Sequence, residues 1–357
     1  MPTLQPFAIY IHYPFCKSKC PYCDFNSHVR ESINNDVWQN AYLAELDKYK
    51  NQPAQITSIF FGGGTPSLMP PKMVEAIINK IAQNWQLAAD AEITLEANPT
   101  SVEYQKFKDF KAAGVNRVSV GVQSFDEAEL KFLGREHNAN DAKNAIKYAA
   151  EVFDNYSFDL IYALTSQIPK SWAAALSEAI KLANYHISLY QLTIEHGTNF
   201  YQRKVPVPSD SLAAEFYEIT QEITEKHGLP AYEISNHAKA GYESKHNLTY
   251  WRYTDYLGIG AGAHGRINGN ATVMTKSPEK WLENPLESIT QLTEQEKFEE
   301  KVMMGIRLKE GLPIALKPRL QNLEMLKAEG FITETTTRIT ATNKGFLVLN
   351  SLIEKLL

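Results

Sequence analysis

Through the first two-thirds of the chain, short runs of β-branched and aromatic residues alternate with stretches in which apolar residues recur every three or four positions. The short runs fall at 7–12, 56–61, 92–97, 117–123, 158–163 and 186–194 and read as strands. Helical periodicity occupies 36–49, 71–85, 101–113, 141–152 and 171–183, and several of these stretches open on Ser, Asp or Pro, as helix starts do. Strands that alternate with helices assemble into a parallel sheet of βα units. Six units predict an α/β fold with an incomplete, TIM-like (β/α)6 barrel.

The rhythm changes after Pro208. A helix is expected over 210–227, a strand-like run at 231–235 and an aromatic segment at 250–256, before glycines dominate 258–269. Beyond Pro285 a helix places Phe298, Val302 and Ile306 on one face, and Leu320, Leu323 and Leu326 follow on another. A hairpin at 331–340 and a closing helix with Phe346, Leu349, Ile353 and Leu356 on one side complete a winged-helix-like α+β unit. The expected organisation is a barrel over 1–275, a polar linker over 276–293 and a small C-terminal domain over 294–357.

Composition narrows the function. With 357 residues, 44% of them apolar, the chain can bury one large core and a smaller one. Its formal charge of -5 gives no bulk attraction to nucleic acid or to an anionic membrane. The winged-helix-like unit carries ten Lys and Arg against nine Asp and Glu, so the basic footprint of a DNA reader is missing and no nucleic-acid partner is expected. No apolar run reaches the length of a membrane span and no basic leader precedes one, so a cytoplasmic protein without an integral membrane segment is expected.

The three cysteines, Cys16, Cys20 and Cys23, share one loop directly after the first strand in C-x3-C-x2-C spacing. Their odd number and crowding argue against disulfides and for metal ligation. Three thiolates can hold three irons of a [4Fe-4S] cubane, which leaves the fourth open to chelation by the amine and carboxylate of a small molecule such as S-adenosylmethionine (SAM). A structural zinc completed by His12 or His28 is the alternative, although such sites usually pair two knuckles separated by a loop. The second strand ends in Gly62-Gly63-Gly64-Thr65-Pro66, whose backbone amides a ligand can approach closely. Ligands of βα barrels lie at the C-terminal strand ends, and those ends supply the cysteine loop, Gly62 to Thr65, Glu96, Gln123, Asp159 and Thr193 around one mouth. Asp, Gln and Thr also cap helices and form turns.

The chain resembles the oxygen-independent coproporphyrinogen III oxidase-like radical-SAM proteins, and within them the heme-chaperone branch. The resemblance rests on Ile9-Tyr10-Ile11-His12, the cysteine loop with Asp24-Phe25-Asn26-Ser27-His28, Gly62 to Ser67, Glu96-Ala97-Asn98-Pro99, Gly121-Val122-Gln123-Ser124-Phe125, Asp159-Leu160-Ile161-Tyr162, Tyr190 to Glu195, His246 to Trp251 and Gly258-Ile259-Gly260. It implies a [4Fe-4S] cluster on Cys16, Cys20 and Cys23, with SAM contacted from Tyr10, Tyr22, Gly63, Gly64, Thr65, Glu96, Gln123, Arg135, Asp159 and Thr193. Glu96 and Asp159 suit hydroxyl groups, the fork of Arg135 suits a carboxylate and Tyr22 can pack on adenine.

The oxidases of this family add a cysteine two residues after the triad, where this chain has Phe25, and carry an extension ahead of the first strand. Both departures disfavour porphyrinogen decarboxylation in porphyrin biosynthesis and favour the chaperones, whose H-N-x-x-Y-W motif is matched by His246, Tyr250 and Trp251. The resemblance implies heme as a third cofactor, with His246 as its leading ligand, and an unidentified acceptor protein of the respiratory chain as partner. Taken without the resemblance, a buried histidine among core aromatics accounts for the same residues. Ala163-Leu164-Thr165 stands where the family usually has Gly-Leu-Pro, and Ala261 where a cysteine sometimes sits.

Overall fold

The chain was described from a computed structural model covering residues 5–101 and 104–357. In the first strand Ile9 and Ile11 are fully buried in the main apolar core, while Tyr10 and His12 between them face the opposite side. The same alternation runs through the next five strands. It curls them so that one face packs on helices and the other encloses a polar interior.

The six are β1 (Gln5–Tyr13), β2 (Ala54–Gly63), β3 (Gln86–Ala97), β4 (Arg117–Gln123), β5 (Asn155–Tyr162) and β6 (His186–Gln191). Each pairs in parallel with the next. On one edge β7 (Asn236–Ala238) runs antiparallel to β6. On the other edge β8 (Tyr256–Ile259) pairs in parallel with β1, and β9 (His264–Ile267), β10 (Asn270–Met274) and β11 (Leu286–Gln291) continue antiparallel. Because β1 and β6 take separate outer neighbours, the barrel stays open.

Helices Asn35–Lys48, Pro71–Asn84, Tyr104–Ala112, Ala139–Val152 and Pro169–Leu182 cover the outer face. Their starts follow local chemistry: Asn34 caps the first, Asn138 and Asp141 form a reciprocal capping box, and Pro71 and Pro169 occupy first turns where no amide partner is needed. Helix Pro71–Asn84 buries Met73, Val74, Ile77, Ile78 and Ile81, a helical stripe in which each side chain contributes roughly 1.5–3 kcal/mol.

The expected strands and helices of the barrel are present, the helix expected at 101–113 as Tyr104–Ala112, with residues 102 and 103 outside the described residues. Other segments differ. The strand expected at 231–235 lies instead at Asn236–Ala238, because Glu233 is buried and accepts hydrogen bonds from the Ser235 amide and the Asn236 side chain, which bends the chain. The polar stretch 276–293, expected as a linker, folds as helix Pro278–Glu283 and β11. Its anchor is Trp281, fully buried and stacked on Trp38 with centroids 5.3 Å apart.

The C-terminal unit begins with helix Glu294–Gly305 and continues through a three-stranded sheet and helix Leu323–Ala328. The closing helix breaks at Val348 into Asn343–Leu347 and Leu349–Leu356. Phe298, Val302, Ile306, Leu326, Ile339, Phe346 and Ile353 form its own core, joined by Tyr217 from helix Asp210–Lys226. The whole is an α/β partial barrel with a small C-terminal α+β unit. No helix among the described residues is long and apolar enough to cross a membrane.

Candidate cofactor site at the barrel mouth

β1 leads into the cysteine loop, and the end of β2 lies against it. The Gly64 amide donates to the Tyr13 carbonyl at 2.8 Å and the Thr65 amide to the Phe15 carbonyl at 2.8 Å. A Cβ on Gly64 would stand 2.6 Å from that Phe15 oxygen, and Gly63, at φ +109°, would drive one into the His12 ring. Glycine is therefore required here for the close approach of two protein segments. The Gly63 amide donates to Glu96 at 3.2 Å. These three amides serve the protein's own loop and carboxylate, where the sequence had suggested that they face a ligand.

All three cysteines are free, partly buried and on the wall of one cavity of about 350 Å³. Hydrogen-bond donors surround their sulfurs. Thr65 Oγ1 donates to Cys16 Sγ at 3.3 Å, and Arg135 Nη1 donates to Cys20 Sγ at 3.4 Å while Nη2 holds the Gly121 carbonyl at 2.8 Å. The buried Ser27 hydroxyl lacks a settled partner and lies beside Cys16 and Cys23. Burial pushes both of these thiols up, whereas Thr65 acts against it at Cys16 and the Phe25 amide at Cys23.

Donors aimed at the three sulfurs suit thiolates that each hold a different iron. A single zinc ion is a poor fit. His12 has Nδ1 at 3.0 Å from the Tyr10 hydroxyl and Nε2 at 2.9 Å from the Asn26 carbonyl, and His28 turns Nε2 to Asn26 Oδ1 at 3.2 Å. Among the described residues no three His, Cys, Asp or Glu side chains converge on one ion position.

Two carboxylates face the cavity from β3 and β5. Burial, and then the neighbouring charge of Asp159, push the Glu96 carboxyl up to about 8. Burial also raises Asp159, with Ser188 and Ser119 opposing it; Ser119 Oγ donates to Asp159 at 3.1 Å. Two strand ends turn sharply here: Gln123 has φ 72° and Ala163 has φ 58°, left-handed conformations that direct the chain across the mouth.

Residues 10–179 match the Radical SAM superfamily, and residues 292–348 match the HemN C-terminal domain. The heme chaperone HemW of Escherichia coli (strain K12) is 39% identical over 99% of this chain and 99% of its own length. The chain belongs to the HemW family of radical-SAM proteins. HemW of Haemophilus influenzae is 36% identical, with 99% of this chain and 98% of that protein covered. A mitochondrial radical S-adenosyl methionine domain-containing protein 1 from mouse is 35% identical over 98% of this chain and 87% of that protein. Among solved structures, coproporphyrinogen III oxidase (HemN) from Escherichia coli shares the fold, with a TM-score of 0.83 and 22% identity over 99% of this chain and 90% of that one.

Of the residues expected to contact SAM from the HemW-type pattern, Tyr22, Gly63, Gly64, Thr65, Glu96, Gln123, Arg135, Asp159 and Thr193 line the cavity with the cysteines. Tyr10 lies on an adjoining cavity of about 240 Å³ inside the barrel, which Glu96 and Asp159 also reach. The Arg135 fork is engaged with Cys20, Gly121 and Tyr22, so its expected role toward a carboxylate competes with contacts already made. Sequence reasoning passed over Ser27 and Tyr190, which also line the cavity. The signal for Tyr190 was its lumen parity on β6, two residues beyond Ser188.

The expected heme segment is arranged differently from the sequence reading. Helix Lys245–Trp251 plugs the barrel interior, with His246 fully buried. His246 Nδ1 lies 3.2 Å from Ser58 Oγ and Nε2 lies 2.7 Å from the Tyr250 hydroxyl, while its ring stacks on Phe60 at 4.8 Å. Burial pushes the imidazole down to about 3, so it is neutral, but both nitrogens are engaged. Trp251 does not share the cavity that His246 and Tyr250 line. His246 and Tyr250 thus line one cavity inside the barrel, with Trp251 outside it.

Proposed function

We propose that this protein is a cytoplasmic heme chaperone that carries a [4Fe-4S] cluster on Cys16, Cys20 and Cys23, binds SAM at the same mouth, binds heme, and passes it to an acceptor protein of the respiratory chain. The observation that carries this reading is the end-to-end likeness to the Escherichia coli heme chaperone HemW, 39% identical over 99% of both chains. Phe25 adds support: it is exposed at the cavity rim, where the oxidases have a further cysteine.

In this reading Glu96 and Asp159 accept from the hydroxyl groups of the nucleoside, and the donors Thr65, Ser27 and Arg135 stabilise the sulfur ligands. Tyr22 covers one wall. When bound and reduced, such a cluster supplies one electron to SAM, giving methionine and a 5'-deoxyadenosyl radical. The cavity walls come from β2 to β6 and the cysteine loop.

The rival reading is oxygen-independent decarboxylation of coproporphyrinogen III, favoured by the fold shared with HemN. Anaerobic incubation of the reduced protein with SAM and coproporphyrinogen separates the two. No protoporphyrinogen, together with stoichiometric hemin binding and its delivery to an apo-hemoprotein, is the expected result. Turnover to protoporphyrinogen would replace the chaperone reading with the oxidase.

A further inference from the structure

The segment that follows the third cysteine is fastened on both sides of one buried hydroxyl. Ser27 is 6% exposed and lines the cofactor cavity with the three cysteines, and its Oγ makes no settled hydrogen bond among the described residues. Burying a hydroxyl without a partner is costly, so a hydroxyl held in that state marks a place where an acceptor arrives.

The neighbours of Ser27 fix where it stands. On one side Asn26 Nδ2 donates to the Ala261 and Lys276 carbonyls at 2.8 and 2.9 Å, and the Asn26 carbonyl lies 2.9 Å from His12 Nε2. That carbonyl can only accept, so His12, disfavoured as a cation by burial, carries its proton on Nε2, and its Nδ1 accepts from the Tyr10 hydroxyl. On the other side the His28 amide donates to the Pro14 carbonyl at 2.7 Å, and the two-residue strands Phe15–Cys16 and His28–Val29 pair in parallel. The turn joining β8 to β9 closes over Asn26 because glycine stands there. A Cβ on Gly260 would overlap the His12 carbonyl oxygen and one on Gly262 the Asn26 side chain, and both glycines hold positive φ, 113° and 81°.

Held between these anchors, the Ser27 hydroxyl lies beside Cys16 and Cys23 and favours the thiolate form of both. The other donors divide among the sulfurs: Thr65 serves Cys16, Arg135 serves Cys20, and the Phe25 amide acts on Cys23. Ser27 differs from them in bearing on two sulfurs by hydrogen bonding. Reduction of an iron–sulfur cluster adds negative charge that spreads onto its sulfur ligands, so a donor aimed at those sulfurs stabilises the reduced form more than the oxidised one and raises the potential. Partial burial strengthens the effect.

We propose that Ser27 sets the reduction potential of the cluster, its hydroxyl donating to the thiolates of Cys16 and Cys23 and making the cluster easier to reduce. It is a positioning residue that acts through the sulfur ligands, and the Tyr10–His12–Asn26 chain holds it in place. The proposal rests on the assignment of a [4Fe-4S] cluster to the three cysteines and names the residue that tunes it.

Redox titration of the anaerobically reconstituted full-length protein, followed by EPR of the reduced cluster, tests it. Ser27→Ala is expected to lower the reduction equilibrium constant about tenfold, which for one electron is a drop of about 59 mV in midpoint potential. Ser27→Thr keeps the hydroxyl and is expected to hold the wild-type midpoint. Because Ser27 Oγ makes no settled protein contact, both variants are expected to fold, with unchanged melting temperature and iron content. An unchanged midpoint in Ser27→Ala, or an equal drop in Ser27→Thr, would overturn the proposal. Loss of the cluster from Ser27→Ala alone would overturn it too, since the serine would then serve assembly and not potential. Absence of any cluster signal from the wild-type chain would instead overturn the cluster assignment itself.

Discussion

Ala163 closes β5 in a left-handed conformation, φ 58°, fully buried and with its amide donating to Gln167 Oε1 at 2.8 Å. An L-residue with a Cβ is strained there by about 1–2 kcal/mol, which explains why glycine is usual at this place in the family pattern. Ala163→Gly is expected to stabilise the fold by about 0.5–1 kcal/mol, measured by urea unfolding, because relief of strain exceeds the added chain entropy. Lower stability would show that the methyl is a packing group. Glu96 sets a pH dependence of its own. Its folded carboxyl titrates near 8 against an ordinary 4.5, so the folded state holds the extra proton across that window. The stability it contributes is complete below the unfolded value and is lost as pH rises through the folded one. Glu96→Gln is expected to flatten the decline in melting temperature between about pH 5 and 8, and an unchanged slope would remove Glu96 as its source. Measured at fixed pH, SAM affinity is expected to fall in both Glu96→Ala and Asp159→Ala; unchanged affinity in both would sink their assignment to the nucleoside. At this scale the cysteines and the ring of strand-end residues were legible because their chemistry is carried by residue type. Most partners of His246, Arg135 and the glycine amides were not, since hydrogen bonds such as His246 to Ser58, Arg135 to Cys20 and Gly63 to Glu96 join segments far apart in sequence and leave no local pattern.

Among elements, the six barrel strands were readable from apolar runs, yet the runs concealed their second face. Val118, Val120 and Val122 of β4 are buried outward, and Arg117, Ser119 and Gln123 share the opposite parity. The same holds in β5 and β6, where Ser157, Asp159, His186 and Ser188 form the polar interior. Helix Lys245–Trp251 closes that interior. Its cap, Ser244, accepts the Asn247 amide and donates to the buried Glu92, which in turn lies 3.8 Å from Arg117. Ser244→Ala is expected to cost about 1–2 kcal/mol, since it removes a cap and leaves Glu92 with one donor fewer. A loss below experimental error in thermal unfolding would mean that the cap is dispensable. The segment 276–293 was misread for a physical reason: β11 is an edge strand with a mostly exposed, polar sequence, and only Trp281 signals that the stretch is tied down.

Across the molecule, the C-terminal unit has a core of its own, which Tyr217 joins from outside the unit, and polar contacts fasten it further to the barrel. Arg266 of β9 grips Glu300 through Nε at 2.9 Å and Nη2 at 2.6 Å, and the Tyr253 hydroxyl donates to the same carboxylate at 2.6 Å. Glu300→Ala leaves the partly buried Arg266 unpaired and is expected to cost about 1–3 kcal/mol while hemin and SAM affinities stay unchanged. Because β11 completes the sheet, any removal of the C-terminal unit has to fall after Gln291. A cut at 285 would take a strand of the sheet with it. The barrel, its open edge and the mouth were visible in the sequence because βα units repeat locally, whereas the docking of the last unit depends on contacts between distant segments. The central claim, a site-differentiated cluster on three cysteines, is tested most directly by EPR of the anaerobically reconstituted and reduced protein, with and without SAM. The expected spectrum is that of a reduced cubane, with about four irons and four sulfides per chain, shifted by SAM and lost in Cys20→Ala. A chain that takes up zinc in place of iron and sulfide, or a cluster signal indifferent to SAM and to Cys20→Ala, would contradict it.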